Sequence, residues 1–272
     1  MRCLTVALSA ILMGSLAIFV RNLNLSPLII TFFRMSFGFV YLLPLIKFVR
    51  FPIFKNFKVI SVALVSLITI SFYIASIQLI EIAISALLLY MAPTYVILFM
   101  LLKREEIGKI SIFSLIIALL GLFLLLSPYY TLNFGIIFGI VSGLCYALYF
   151  ILAKEVREFA SSIEITFSTL LISTIILLPI VSTNLNVKTI FQNLPWLLGL
   201  GLIPTAIPFI LLNYGIKFCK KENAPIIALI EPVSAGIYGY IIFNEVLTLK
   251  QMIGAILILS SVAIALKSGV EG

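Results

Sequence analysis

A single carboxylate, Glu231, stands beside Pro232 inside the apolar run PIIALIEPVSAGIYGYIIF (225–243). A carboxylate next to a helix breaker deep in hydrocarbon is costly enough to imply a role. Two chemistries fit it: carrying a coupling proton, or orienting an amine on a solute. A structural alternative is a helix–helix hydrogen bond to Asn213, which helix counting places at a similar depth together with Tyr214. Arg34 is the other charge within an apolar run, placed to snorkel outward or to cap freed carbonyls. At ~1.5 Å per residue Arg34 lies about 10 Å deep from one side and Glu231 about 9 Å from the other. In ~30 Å of hydrocarbon that leaves roughly 11 Å between them, so no direct salt bridge is expected. Tyrosines 73, 90 and 95 in the first half and 146, 149 and 214 in the second offer flat faces and hydroxyls to an organic solute. No histidine is present, and Cys3, Cys145 and Cys219 lack any CxxC spacing. Neither a disulfide framework nor a metal site is signalled, and no cofactor is expected.

These residues need apolar elements to hold them, and composition supplies the class. Of 272 residues, 63% are hydrophobic and 10% charged, against roughly 25% charged in soluble chains. The charges cluster between apolar runs of membrane-spanning length at roughly 3–20, 27–48, 58–79, 82–102, 109–127, 134–153, 162–181, 195–216, 225–243 and 250–267. An all-α membrane protein with ten transmembrane helices is expected, with a tight turn near Glu81 between the third and fourth. The first run is read as a span and not a cleaved leader, because it has a counterpart at 134–153. With both termini in the cytoplasm, fourteen of the 18 Lys and Arg residues fall inside, while only Arg21, Lys188 and Lys250 fall outside. The net charge of +8 is thereby explained by basic loops, and no nucleic-acid partner is inferred. The expected location is the cell membrane, with the lipid bilayer as its surroundings.

The chain repeats itself. ITFFRMSFGFVYLLP (30–44) aligns without a gap to ITFSTLLISTIILLP (165–179). Pro93 precedes Glu106 by 13 residues, as Pro232 precedes Glu245. Ala92 holds the place of Glu231, and Thr169 that of Arg34, so the two copies would build an asymmetric site. Five spans per copy force the second to insert upside down, giving inverted-topology repeats over 1–128 and 129–272.

Two five-helix units, a proline midway through each fourth helix, a Glu closing that helix, Glu-Pro at 231–232 and Phe32-Phe33-Arg34 in the first copy together resemble the EamA branch of the drug/metabolite transporter superfamily. The resemblance spans the whole chain, with departures at Ala92, Thr169 and Met13-Gly14. It implies a solute path between the repeats, opening alternately to each side, and favours Tyr90 and Tyr146 as lining residues beside Tyr73. Pro93, Pro232, Pro204 and Pro208 are the expected hinge positions, with simple packing kinks as the alternative reading of the last two. Gly135, Gly139, Gly143 and Ala147 are read as a seam for close helix approach within the molecule.

The resulting expectation is a secondary transporter, not an enzyme, that exports a small organic solute such as an amino acid or related metabolite. A proton is the expected coupling ion. The alternatives are a nucleotide-sugar or sugar-phosphate carrier, or a non-transporting membrane scaffold or enzyme. Phosphates would want several cations, of which Arg34 and Lys217 are available; an enzyme would need a reactive constellation that the sequence lacks.

Overall fold

A computed structural model describes residues 2–23, 25–80, 82–126, 134–183 and 187–268. Ten helices among them are long and apolar enough to cross a bilayer: Leu4–Arg21, Pro27–Phe48, Phe57–Ile77, Ile82–Leu102, Lys109–Leu126, Phe134–Val156, Ser162–Ser182, Leu194–Ile216, Asn223–Phe243 and Leu249–Ser268. They are called here the first to tenth spans. Hydrocarbon offers backbone groups no partner, so the spans satisfy most of their N–H and C=O groups along helices, and no strand occurs among the described residues. The surface of the bundle is correspondingly apolar, with Leu98, Ile116, Leu120 and Ile256 about half or more exposed. The expected turn at Glu81 and the boundary between residues 128 and 129 both lie outside the described residues.

Span ends follow local chemistry. Pro27 opens the second span behind Ser26, where its missing N–H costs nothing. Ser161 and Glu164 form a reciprocal capping box at the start of the seventh. The ninth closes on Asn244 in the left-handed conformation, φ 53°, which asparagine tolerates better than most residues.

The first span divides at Ser15 into Leu4–Gly14 and Leu16–Arg21 without a proline; three others are broken where prolines lie. Proline removes the bond to the carbonyl four residues back and crowds it. The fourth span divides into Ile82–Leu89 and Ala92–Leu102, ending its first half four residues before Pro93. The ninth divides into Asn223–Ala228 and Ile230–Phe243, ending its first half four residues before Pro232. In the eighth, Leu194–Gly201 and Ile207–Ile216 flank a π-helical turn, Leu202–Ala206, that holds Pro204 and is followed by Pro208.

Packing is exchanged between the halves. The first span lies against the eighth and ninth, while the sixth lies against the third and fourth; the second pairs with the seventh and the fifth with the tenth. The expected glycine seam on the sixth span is intramolecular. A methyl added at Gly143 would sit 2.3 Å from the Leu88 carbonyl oxygen, and one at Gly139 would meet the Leu88 side chain.

The two ends of the bundle differ in how they are tied. At the Lys/Arg-rich end Arg50 meets Glu164 at 2.7 Å, Lys58 meets Glu155 at 3.1 Å, and Lys221 meets Glu105 at 3.0 Å. Glu164 is almost fully buried and also accepts from the backbone N–H groups of Arg50 and Ser161. The hydrogen-bonded Glu164 carboxylate holds the Arg50 guanidinium above its ordinary range. Lys154 donates to the carbonyls of Lys217 and Cys219 at 2.9 and 2.7 Å. At the opposite end Arg21 pairs with Glu245 and lies over the Phe243 ring. One sequence expectation is corrected at the basic end: Cys3 and Cys219, 216 residues apart, form a disulfide with their Cα atoms 5.3 Å apart. Helix packing brings them together, which no local spacing announces. Cys145 is free.

Candidate functional site

Glu231 lies in the first turn of Ile230–Phe243, just past the break in the ninth span. The positive end of that half-helix favours a negative charge there, which offsets part of the cost of placing one in hydrocarbon. Gly14 of the first span abuts this point; a methyl at Gly14 would lie 2.0 Å from Ser234 Oγ and 2.8 Å from the Glu231 carbonyl oxygen. Only glycine admits so close an approach. The Tyr90, Tyr73 and Tyr146 side chains all lie within electrostatic reach of the Glu231 carboxylate. Tyr90 occupies the break in the fourth span, so its ring leaves the helix where the backbone is already interrupted. Tyr146 stacks near Tyr149, ring centroids 6.4 Å apart, and packs against Phe150 at 5.0 Å.

Arg34 reaches the same cluster from the second span. It interacts with Glu231 through space, and no ion pair joins them. Its Nε donates to Thr205 Oγ1 at 2.9 Å and its Nη2 to the Pro204 carbonyl at 3.2 Å. That carbonyl is available because its helical partner would be the N–H of residue 208, which is proline. The same logic applies one turn earlier: Pro204 frees the Leu200 carbonyl, and Thr205 Oγ1 takes it at 2.8 Å. Arg34 also lies 5.7 Å from the centroid of Phe209. Of the sequence readings for this arginine, carbonyl capping is the one formed. Glu231 and Arg34 are densely surrounded by protein, yet each keeps some accessible surface; their shared cluster with the tyrosines is called here the cleft.

Two expected neighbours of Glu231 are elsewhere. The buried Asn213 amide accepts from Tyr149 Oη at 3.1 Å and donates to Thr166 Oγ1 at 3.2 Å and to the Phe209 carbonyl at 3.0 Å. These bonds commit its side chain to a knot between the sixth, seventh and eighth spans, and the hydrogen bond to Glu231 is not made. Tyr214, one residue on and partly exposed, turns towards Arg157 and a cavity at the basic end, with Lys217 beside it. The sequence reading therefore brings together Arg34, Tyr73, Tyr90, Tyr146 and Glu231 and displaces Asn213 and Tyr214. It missed Thr205, whose signal was its place between two prolines four residues apart. It missed Thr166, which no spacing marked, and it named Tyr149 as a candidate to meet a solute, whereas its hydroxyl bonds to Asn213. Among the described residues no group of three metal-ligating side chains occurs.

The cleft thus presents a fixed cation, a fixed carboxylate and tyrosine hydroxyls, walled by interrupted helices of both halves. A family model for EamA-like transporters matches residues 1–127 and again 133–267. The chain belongs to the EamA-like transporter family. An uncharacterized transporter of Archaeoglobus fulgidus is 45% identical over 260 residues, covering 96% of this chain and 94% of that one. An uncharacterized transporter of Bacillus subtilis is 25% identical over 202 residues, covering 72% and 65%. A crystal structure with 15% identity superposes with a TM-score of 0.81, covering 97% of this chain and 96% of the other, which shows a shared fold. This EamA-like chain is a multi-pass membrane protein of a transporter family, and its broken fourth and ninth spans place the paired prolines, Pro93 and Pro232, at the cleft.

Proposed function

We propose that the protein is a secondary transporter exporting a small zwitterionic solute, an amino acid or related metabolite, by alternating access between inverted repeats. The observation that carries this reading is that Arg34 and Glu231 present opposite charges to one tyrosine-lined cleft without neutralising each other directly. A solute with a carboxylate and an amine would complete both. Arg34 would hold the carboxylate with its free N–H groups, Glu231 the amine, and Tyr73, Tyr90 and Tyr146 the body between them. A phosphate-rich solute would want more cations than the one arginine found there. The exchanged packing of the halves supports two near-equivalent conformations, and the breaks at Pro93, Pro232 and the Pro204–Pro208 turn are the places where a span bends at least cost.

With the basic end in the cytoplasm of a cell membrane, the ties there describe a conformation drawn shut on that side. Glu231 serves as proton carrier in the cycle: the proton leaves as the amine arrives. The test is counterflow and pH-gradient-driven uptake of amino acids in proteoliposomes. Wild type is expected to respond to the gradient and Glu231→Gln to lose that response. A Glu231→Gln protein that still follows the gradient would discard the proton role, and a wild type that exchanges no zwitterion would discard the substrate class.

A further inference from the structure

A second site stands apart from the cleft, at the basic end where the sixth span turns into the seventh and the eighth ends. A cavity of about 400 Å³ there is lined by Arg157, Glu158, Phe159, Ser162, Tyr214 and Lys217 among others. Arg157 is only 7% exposed, although it lies between spans that end at Val156 and begin at Ser162. Its Nε donates to the Asn213 carbonyl at 2.7 Å and its Nη1 to the Ala160 carbonyl. No carboxylate pairs with it among the described residues. Glu164 is in electrostatic reach, but its oxygens are taken by Arg50 and Ser161. Burial pushes the Arg157 guanidinium down from its ordinary range, with Tyr214 and Glu164 acting the other way.

A buried cation without a counter-ion costs several kcal/mol unless an anion completes it. The cavity leaves room for one. Lys217, exposed and making no side-chain bond among the described residues, adds a second positive charge. Glu158 subtracts one, so the lining is net positive. Phe159 and Tyr214, 41% and 36% exposed, give the cavity an apolar rim at the level where helices leave hydrocarbon. We propose that this cavity binds a phosphate-bearing anion, with Arg157 and Lys217 holding the phosphate and Phe159 and Tyr214 lying along an acyl chain when the anion is a lipid headgroup. The site is independent of the transport reading, because none of its lining residues contributes to the Glu231 cleft.

The test uses the purified full-length protein in neutral detergent and reads its thermal unfolding midpoint. The probes are phosphatidylglycerol, phosphatidylcholine and inorganic phosphate. Phosphatidylglycerol should raise the midpoint at concentrations where phosphatidylcholine does not. If inorganic phosphate does the same, the site takes a soluble anion; if only phosphatidylglycerol does, the lipid headgroup is the ligand. Lys217→Glu, on an exposed side chain that leaves the fold intact, should require about tenfold more ligand, and Glu158→Gln less than wild type. Lys55→Glu, equally exposed on the same face but outside the cavity, should change nothing. Equal stabilisation by phosphatidylcholine overturns the proposal. So does Lys217→Glu binding like wild type, or Lys55→Glu weakening binding as much as Lys217→Glu, which would mean attraction to the basic face as a whole.

Discussion

Two polar clusters are embedded in this apolar bundle, and they are built on opposite plans. In the Asn213 knot each polar atom of the amide has a partner, and Asn213 itself is fully buried. In the Glu231 cleft two full charges keep accessible surface and are met by hydroxyls and freed carbonyls but not by each other. A closed network stabilises three spans and has nothing left to offer a solute. An incomplete one is tolerated only because half-helix ends and nearby charges offset its cost, and its unfilled bonding capacity is available to a ligand. Under the proposed function, stability falls to one cluster and recognition to the other, although helix counting had put Asn213 and Glu231 side by side.

The sharpest way to break this assignment is Glu231→Gln. Losing a charge-assisted contact of about 1.5–3 kcal/mol should weaken zwitterion binding by about 10- to 150-fold. The unfolding midpoint should hold or rise, because a neutral amide is cheaper to bury. Titration of wild type and variant by calorimetry, with a melting curve for each, reads both quantities; a lower midpoint with unchanged affinity would exchange the roles of the two clusters. Arg34→Lys comes next. It keeps the charge but not the planar fork that spans Thr205 and the Pro204 carbonyl, so binding of carboxylate-bearing solutes should fall about tenfold. An affinity equal to wild type would show that only the charge matters.

Asn213→Leu should give the mirror image. Removing the amide orphans the Tyr149 hydroxyl and costs about 1–2 kcal/mol of stability, while affinity for the solute stays within about threefold. Chemical-denaturant melts together with binding titrations check it. A large affinity loss without destabilisation would place Asn213 at the solute after all.

How much of this was legible in the chain follows from what each residue's position depends on. The spans could be read because hydrocarbon thickness fixes the length of an apolar run. The breaks could be read because proline acts on its own i−4 carbonyl, so Pro93 and Pro232 mark them within the local sequence. The charged pair and its tyrosines were legible as costly or adaptable groups within those runs. Asn213 and Tyr214 were misplaced because counting along a helix gives depth and not facing, and each residue turns the helix by about 100°. Tyr214 points outward and Asn213 into the neighbouring spans. The Cys3–Cys219 bridge and the Arg50–Glu164 tie join residues 216 and 114 apart, and no local pattern encodes such meetings.

The smallest effect sharpens the comparison most, since it acts on the cleft through one backbone atom. Pro208→Ala returns an N–H to the position four residues after Pro204, where it can take the Pro204 carbonyl that Arg34 Nη2 now holds at 3.2 Å. The helix gains: a proline inside a helix disfavours it by ~3 kcal/mol relative to alanine in the absence of compensation, though Pro208 sits in the first turn after the π-helical segment, where most of that cost is already relieved. Arg34 loses one of its two anchors and gains freedom to swing towards Glu231. The expected outcome is a midpoint equal to or above wild type and a solute affinity a few-fold lower, because an arginine drawn into an ion pair with Glu231 is no longer presented to a carboxylate. Pairing Pro208→Ala with Glu231→Gln in a double-mutant cycle separates the possibilities. If the proline acts through Arg34 and its approach to Glu231, removing the carboxylate first should abolish the proline's effect on binding. Additive effects would mean that Pro208 shapes the eighth span without regard to the charges, leaving the freed carbonyl a packing detail and the cleft's separation of charge to some other cause.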